Sequence, residues 1–521
     1  MADLKKILKR FKAAQSRKSN WEDTYEEAQE FFTPQFETFT KRNQGQDERG
    51  QGRIFDSIGE ASIQKFVSNI QSSMVPPAKT WSQLKPGAEI LNRDAKAQEE
   101  ATDALEKITE TLFTHIKNSN FDTQVAVSFF DLAMGTAALQ VMKGDKNTAF
   151  KFSATPLSEL FIEEGGVGRV NAVFRKYEIP YRGIKETWPD ADIPSDIEQK
   201  IESKPDARIR LIEASIPEDI EITSRQTGQK QTVKGYKYIV MDAKGENLFV
   251  KREQESSPWV VFRWAVRPGE VYGRGPALQA LSDVKTLNKT KELILKNGSM
   301  AVAGAYTVAD DGVINVRNIR IRPGALIPVS DNPGGVRGPT ISPLPRTGDF
   351  NVGQLIINDL RNSVNEMMFA DPLGPIDLPV KTATEISFRQ QELSKRIGSA
   401  FGRLQFEFIT PLISRMLFLL EDLDIINLND FRVDGRFIAI EHVSPLAKAQ
   451  DQEELVGLER FVGLLGQSFG PQLALGMLNP GAVVGEFQKL LDVKSNIKAP
   501  DEQIAQLVQG LLQQQGPPPQ Q

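Results

Sequence analysis

Two helix-compatible stretches of about twenty residues bracket a short strand-and-turn unit, and this order constrains the chain more than any other feature. From Ala277 to about Lys296 there is no proline or glycine, and Leu278, Leu281, Val284, Leu287 and Ile294 follow a helical period. At about 1.5 Å per residue such a segment makes a rod of about 30 Å. A second apolar stripe runs from about Phe350 to Phe369 through Leu355, Ile356, Leu360, Val364 and Met367 or Met368. Between them, Val302 to Val329 carries strand-like runs (Tyr306-Thr307-Val308 and Ile319-Arg320-Ile321-Arg322) with Asp311-Gly312 as a hairpin turn signal, and Asn332 to Gly348 is rich in Pro and Gly. Helix, β-unit, helix is the resulting order.

Upstream, positions 1 to about 115 read as helical: Trp21, Tyr25, Ala28 and Phe32 recur at spacings of four and three, as do Ile58, Ile63, Phe66, Val67 and Ile70 before Pro76-Pro77. A further helix is predicted from Asp94 to Ile116. The first twelve residues alternate Leu4, Ile7, Leu8 and Phe11 with five cations, lack the apolar core of a secretory signal, and predict a surface helix. From Ala149 to Val266 the texture changes to β-branched and aromatic runs, such as Tyr236 to Val240 and Trp259 to Phe262, punctuated by Gly, Pro, Asp and Asn.

Downstream of the second rod, Asp371 to Pro379 holds prolines at 372, 375 and 379 and predicts a loop. Thr382 and Glu385 have capping-box spacing and open the longest predicted helix, with Ile386, Leu393, Ile397, Leu404 and Phe408 along one edge until Pro411 bends or breaks it. A strand at Phe437 to Ile440 and amphipathic helices from about Gln450 follow. The Gln/Pro-rich end, Gln513 to Pro519, is low-complexity sequence expected to be disordered. The fold class these elements predict is α+β, mainly helical.

At 521 residues, 40% hydrophobic and 25% charged, the chain is long enough to bury a substantial core. It has no cysteine, which removes disulfides and thiol chemistry and fits a reducing cytoplasm. No uncharged apolar run of about 18 residues predicts a membrane-spanning helix. The net charge of −5 argues against a tight grip on nucleic acid, which calls for a basic excess; contact with DNA would be weak and mobile or confined to local patches.

Catalytic chemistry is not expected. The two histidines, His115 and His442, stand far apart without adjacent ligand-type residues, and ordinary structural roles suit them. There is no H-E-x-x-H, G-x-S-x-G or phosphate-loop lysine motif; Gly165-Gly166-Val167-Gly168 and Gly273-Arg274-Gly275-Pro276 lack the required Lys and Ser/Thr. The acid pairs Glu163-Glu164 and Asp310-Asp311 read as solvated turn residues. No metal or cofactor is predicted. The cations Lys285, Lys289, Lys291 and Lys296 on the first rod, with Arg317, Arg320, Arg322, Arg337 and Arg346 in the β-unit, have the chemistry to touch phosphates, but a solvated face or subunit salt bridges suit each equally well.

Four groups of residues together resemble the portal (head-to-tail connector) family of short-tailed bacteriophages. They are Phe55-Asp56-Ser57 followed by Val75-Pro76-Pro77-Ala78-Lys79-Thr80-Trp81-Ser82-Gln83-Leu84; Tyr272-Gly273-Arg274-Gly275-Pro276 followed by Leu281 to Asn288; Thr382-Ala383-Thr384-Glu385 through Arg389, Gln390 and Glu392, then Pro411-Leu412-Ile413; and Ser444 to Gln450. Each string alone is weak, but in register over about 400 residues they support one another.

The resemblance implies a portal fold with an N-terminal wing (1–270), a first stem helix (271–300), a β-containing clip (301–348), a second stem helix (349–370), a channel loop (371–381), a long helix with a closing wing segment (382–449) and a C-terminal helical crown with the Gln/Pro tail (450–521). The channel loop would comprise Asp371, Pro372, Leu373, Gly374, Pro375, Ile376, Asp377, Leu378, Pro379, Val380 and Lys381; Lys285, Lys289 and Lys296 become candidate DNA-facing stem residues, and Arg317, Arg320, Arg322 and Arg337 candidate clip contacts. The implied function is non-enzymatic: a dodecameric ring at one capsid vertex, assembled in the host cytoplasm and kept in the virion at the head-tail junction. Double-stranded DNA passes through it during packaging and ejection. The implied partners are the terminase large subunit, tail adaptor and tail tube proteins, major capsid and scaffolding proteins, and internal core proteins. Twelve copies at −5 give a ring near −60, a field that disfavours phosphate adhesion while DNA slides. The alternative is another virion structural protein, such as a tail adaptor or internal core protein.

Overall fold

The computed structural model describes residues 2–36, 54–77, 79–87, 95–166, 168–223, 230–303, 306–308, 341–343, 350–370, 400–427, 438–443 and 445–469, with residues 398, 478, 483 and 487 singly. Among them the fold is a mixture of long helices and antiparallel sheets. Helices α1 (Ala2–Phe32), α2 (Ile58–Met74), α3 (Ala95–Lys117) and α4 (Phe121–Met134) come first, and strand β1 (Ser82–Pro86) lies between α2 and α3. That strand interrupts a region whose periodicity predicts helix alone. It pairs antiparallel with β12 (Ile438–His442), so its partner lies about 350 residues away and leaves no local trace.

Strand β2 (Thr136–Lys143) is sandwiched between β3 (Phe150–Thr155) and β9 (Trp259–Arg263) in a three-stranded sheet. Its first six residues are all buried, which explains why it shows no alternating pattern. A second, five-stranded sheet runs in sequence order from β4 (Leu160–Glu164) through β5 (Val170–Pro180), β6 (Arg208–Thr223) and β7 (Lys230–Asp242) to β8 (Leu248–Gln254). Short helices α5 (Gly183–Thr187) and α6 (Ser195–Ser203) cross between β5 and β6.

The first half of α1 is more than a surface helix. Leu4, Ile7, Phe11 and Ala14 are buried on the face of the five-stranded sheet, against Phe161, Phe174, Ile212 and Met241. Phe11 meets Phe161 and Phe174 edge-on at 5.1 and 6.0 Å. Each such side chain contributes about 1.5–3 kcal/mol by leaving water. Farther along, Lys18 is buried; its ammonium donates to the carbonyls of Leu157 and Ser158 at 2.6 and 2.7 Å, and burial lowers its pKa to about 7.

The two predicted rods are present as α7 (Pro276–Ala303) and α8 (Phe350–Met367), packed against each other. Strands β10 (Tyr306–Val308) and β11 (Ile341–Pro343) pair between them. The first coincides with a predicted strand, whereas the second falls in the stretch rich in Pro and Gly. The run Ile319 to Arg322, the Asp311-Gly312 turn, the predicted start of the longest helix at Thr382 and the Gln513 to Pro519 tail lie outside the described residues.

From Phe401 the chain is helical. A π-helical turn (Gln405–Ile409) leads into α9 (Thr410–Asp422), and α10 (Pro445–Phe469) closes the described chain. Pro411 therefore does not break the helix. It has no N–H to give, and its ring crowds the preceding turn; the wider turn, in which the Thr410 N–H reaches Gln405 O, accommodates it.

Glycines set the closest backbone contact. Gly135, at φ +136°, ends α4, and a Cβ there would lie 2.1 Å from Gly273 O; one on Gly275 would lie 2.0 Å from Ala133 O. The Gly273-Arg274-Gly275-Pro276 string is thus the place where the α4–β2 junction touches the start of α7, with Gly275 N–H donating to Met134 O at 3.1 Å and Gly273 N–H to Thr136 Oγ1 at 2.8 Å.

A fully buried guanidinium ties the sheets to the returning helix. Arg263, the last residue of β9, donates from Nη2 and Nε to Glu407 Oε1 and Oε2 at 2.8 and 3.2 Å, and its backbone N–H adds a bond to Oε2 at 3.1 Å. Its remaining donors reach Val271 O and Gly168 O at 2.9 and 2.7 Å, with Glu164 Oε1 at 3.4 Å.

Two outcomes are expected in urea unfolding. Gly135→Ala loses about 2 kcal/mol or more, from the strained φ and the backbone collision. Glu407→Gln loses about 3–5 kcal/mol by leaving a buried cation undercompensated, while the double variant Arg263→Met/Glu407→Leu lies much closer to the parent.

Candidate functional site

The base of the two rods is where the chain gathers charge. Asp56, in the Phe55-Asp56-Ser57 string, is buried, and its Oδ2 accepts from Lys291 Nζ of α7 at 2.9 Å and Arg361 Nη2 of α8 at 2.7 Å. Its Oδ1 accepts the Ile58 N–H at 2.9 Å, at the start of α2. Asn288 of α7 completes the clamp, its Oδ1 accepting the backbone N–H groups of Phe55 and Asp56 at 2.6 and 3.2 Å. One carboxylate therefore joins both rods to α2. Burial pushes the Asp56 carboxyl up, but the bonds from Lys291, Arg361 and Ile58 outweigh it and hold the pKa below the ordinary aspartate value.

Around this clamp the rods are fixed to each other and to their surroundings. Ser363 Oγ donates to Asp283 Oδ2 at 2.8 Å across the pair, and Asn69 of α2 donates to Phe369 O at 2.9 Å. Toward the far end, a Cβ on Gly353 of α8 would meet Ile294 Cδ1 of α7 at 2.8 Å, so the small residue lets the helices approach. Ile294 faces α8; its neighbours Leu293 and Leu295, turned about 100° to either side, are 55% and 52% exposed. On α8, Leu355 and Ile356 are 69% and 46% exposed. Each rod carries uncovered leucine-type side chains beside its contact with the other.

The predicted DNA-facing lysines are partly solvated, and all three are paired. Lys285 bonds Glu27 of α1, while Lys289 and Lys296 flank Glu292 of their own helix. Arg317, Arg320, Arg322, Arg337 and Arg346, and the whole predicted loop from Asp371 to Lys381, lie outside the described residues.

Among the described residues, no group of three or more His, Cys, Asp or Glu side chains could hold a metal ion, and no helix is long and apolar enough to cross a membrane. His442 is packed near Trp81 and Phe401, with Nε2 2.9 Å from Met74 O; burial lowers its pKa to about 4. His115 lies beside Phe150, apart from it.

Two residues escaped the reading of the sequence as parts of a site. Asp56 stood inside a recognisable string without a role, because its cationic partners are more than 230 residues away. Arg263 did carry a local signal: a charge closing the run Trp259-Val260-Val261-Phe262 in a strand with no exposed residue.

A model of the family described as bacteriophage head to tail connecting protein matches residues 4–497. The portal protein of Salmonella phage epsilon15 is 22% identical over 524 residues, covering 97% of this chain and 90% of that protein. The probable portal protein of Bordetella phage BPP-1 is 22% identical over 514 residues, covering 96% and 90%. Among solved structures, a chain in the virion of a native gene transfer agent particle aligns with a TM-score of 0.36 at 10% identity, over 84% of this chain and 89% of that one. A chain in the neck of an empty gene transfer agent particle aligns with a TM-score of 0.33 at 12% identity, over 79% and 86%.

Asp56→Asn keeps the shape and removes the charge, and is expected to cost about 1–3 kcal/mol at pH 7. Because the folded carboxyl has a lowered pKa, its contribution is full above the unfolded value near 3.9 and is lost as pH falls through the lower folded value. The gap in unfolding free energy between parent and variant should be level from about pH 7 to pH 5 and narrow below about pH 4.

Proposed function

We propose that this chain, which belongs to the family of bacteriophage head to tail connecting proteins, is a portal subunit: a non-enzymatic virion component that closes into a homo-oligomeric ring at the head-tail junction. The ring is a dodecamer at one capsid vertex. Its central channel passes double-stranded DNA inward during packaging and outward on ejection. The terminase large subunit docks on it first and tail proteins later; capsid, scaffolding and internal core proteins are its further partners.

In this reading α7 and α8 are the stem, residues 301–348 the clip, residues 371–381 a loop projecting into the channel, and α10 the start of the crown. The observation that carries it is the pair of rods. They are clamped at one end by Asp56 and packed against each other, yet leave Leu293, Leu295, Leu355 and Ile356 in water beside their mutual contact. Among the described residues nothing in a single copy covers those side chains. In a ring, each rod pair has a neighbour on either flank, and the same leucines become subunit contacts.

The stem lysines fit a channel better paired than free. Lys289 and Lys296 share Glu292, so the three side chains keep one positive charge where the two lysines alone would carry two. A moving duplex then meets a weaker cationic surface at these positions, and sticks to it less.

Averaged electron micrographs of the purified chain, viewed down the axis, should show a closed annulus with an open pore. Leu293→Asp/Leu295→Asp should fold as the parent does by circular dichroism yet stay monomeric or form open fragments. A parent that remains monomeric at high concentration and in assembled particles, or a variant that closes as readily as the parent, would overturn the reading.

A further inference from the structure

The three stem lysines assigned to DNA from the sequence each pair with a carboxylate within the chain, whereas a group of cations assigned to an ordinary surface helix does not. Lys5, Lys6, Lys9 and Lys12 of α1 are exposed and make no ion pair or hydrogen bond among the described residues. Arg17 is exposed beside them, and Arg10 is held on Glu163 at 3.1 Å. From Leu4 to Trp21 the helix contains no acidic residue.

Lys5, Lys9 and Lys12 fall at spacings of four and three on one line of the helix, with Lys6 and Arg17 alongside. The opposite line, Leu4, Ile7, Phe11 and Ala14, is buried in the sheet, so the basic line points away from the body of the subunit. From Lys5 to Arg17 it extends about 18 Å.

We infer that this line of α1 is a second, sequence-independent binding surface for the phosphate backbone of duplex DNA, outside the stem and its channel. The inference rests on the reading that this chain handles duplex DNA. Two features of the surface favour a polyanion over a protein or a membrane. Its exposed positions are Lys5, Lys6, Lys9, Lys12, Ala13, Ser16 and Arg17, with no large apolar or aromatic side chain, whereas protein interfaces are depleted in lysine and anchored by buried aromatics. The apolar face that an interfacial helix would push into lipid is already occupied by the five-stranded sheet. Regularly spaced lysines that bind by displacing counterions need neither anchor. The net charge of −5 hides this surface because acids elsewhere in the chain outnumber the bases.

The test uses the assembled full-length ring and a fluorescein-labelled duplex of arbitrary sequence, read by anisotropy between about 50 and 200 mM salt, the range over which phosphate contacts weaken steeply. Lys5→Gln/Lys9→Gln/Lys12→Gln should bind more weakly and lower the slope of log K against log salt by about 2.7, three contacts at about 0.9 each. Lys289→Gln/Lys296→Gln should leave the slope unchanged. The inference is overturned if the α1 variant keeps the parent slope, if the stem variant carries the loss instead, or if the parent ring ignores DNA but takes up polyglutamate through the same lysines. Rings that close normally with an unchanged slope would remove this surface and leave the portal reading standing; failure of the parent to form rings would remove the reading itself.

Discussion

A guanidinium with no exposed surface has to find a partner for its charge and for each of its donors, and that requirement at Arg263 fixes the centre of this molecule. Meeting it takes Glu407 from the returning helix, the carbonyl of Gly168 in the β4–β5 turn and the carbonyl of Val271 on the approach to α7. Three parts of the chain far apart in sequence are thereby placed relative to one another. The π-helical turn belongs to the same arrangement: it contains Glu407, lies just before Pro411, and places Phe408 against Phe262 at 4.4 Å. A regular turn would set the Glu407 carbonyl against the Pro411 ring.

From that centre, order passes outward through the glycine contact at Gly135, Gly273 and Gly275 to the first turn of α7. From there it passes to Asp56, where the two rods receive a common anchor. The clamp is polar because it must orient as well as hold. Apolar packing at the base would leave the rods free to slide, whereas a carboxylate shared by Lys291 and Arg361 fixes the register of one helix against the other. Beyond the clamp the packing changes character, from bonded pairs to exposed leucines. A subunit that is rigid at the base and apolar on the flanks of its rods is suited to completing its core with copies of itself.

The sequence was legible where structure is local. The rods were evident because an absence of breakers and a helical period act within a few turns, and the observed α7 and α8 begin within a residue of their predicted starts. Strand β12 was visible because its β-branched residues lie together, but β1 was not: Ser82-Gln83-Leu84-Lys85-Pro86 has little β-propensity, and its pairing with β12 alone makes it a strand. β11 was hidden for a related reason, since Ile341-Ser342-Pro343 sits among Pro and Gly that signal a loop. The clamp was half visible. Its motif could be recognised, but what Asp56 does depends on cations brought to it by tertiary folding.

Charge shows the same limit most sharply. A net value of −5 and the positions of the cations suggest that any DNA contact belongs to the stem lysines and the arginines of the β-unit, because composition and position are all that a sequence offers. Pairing reverses the emphasis. Glu27 takes Lys285, Glu292 takes Lys289 and Lys296, and Asp56 takes Lys291 together with Arg361, so each stem lysine has a carboxylate at short range and the field of the group at a distance is reduced, though the bases still outnumber these acids. On α1 the acids are missing from the sequence between Leu4 and Trp21, and the sheet that buries the apolar side offers Glu163 to Arg10 alone among the described pairs of that stretch. What a phosphate backbone meets is therefore decided by where the acids fall relative to the bases, which depends on helical spacing and on which face of each helix the core has already claimed.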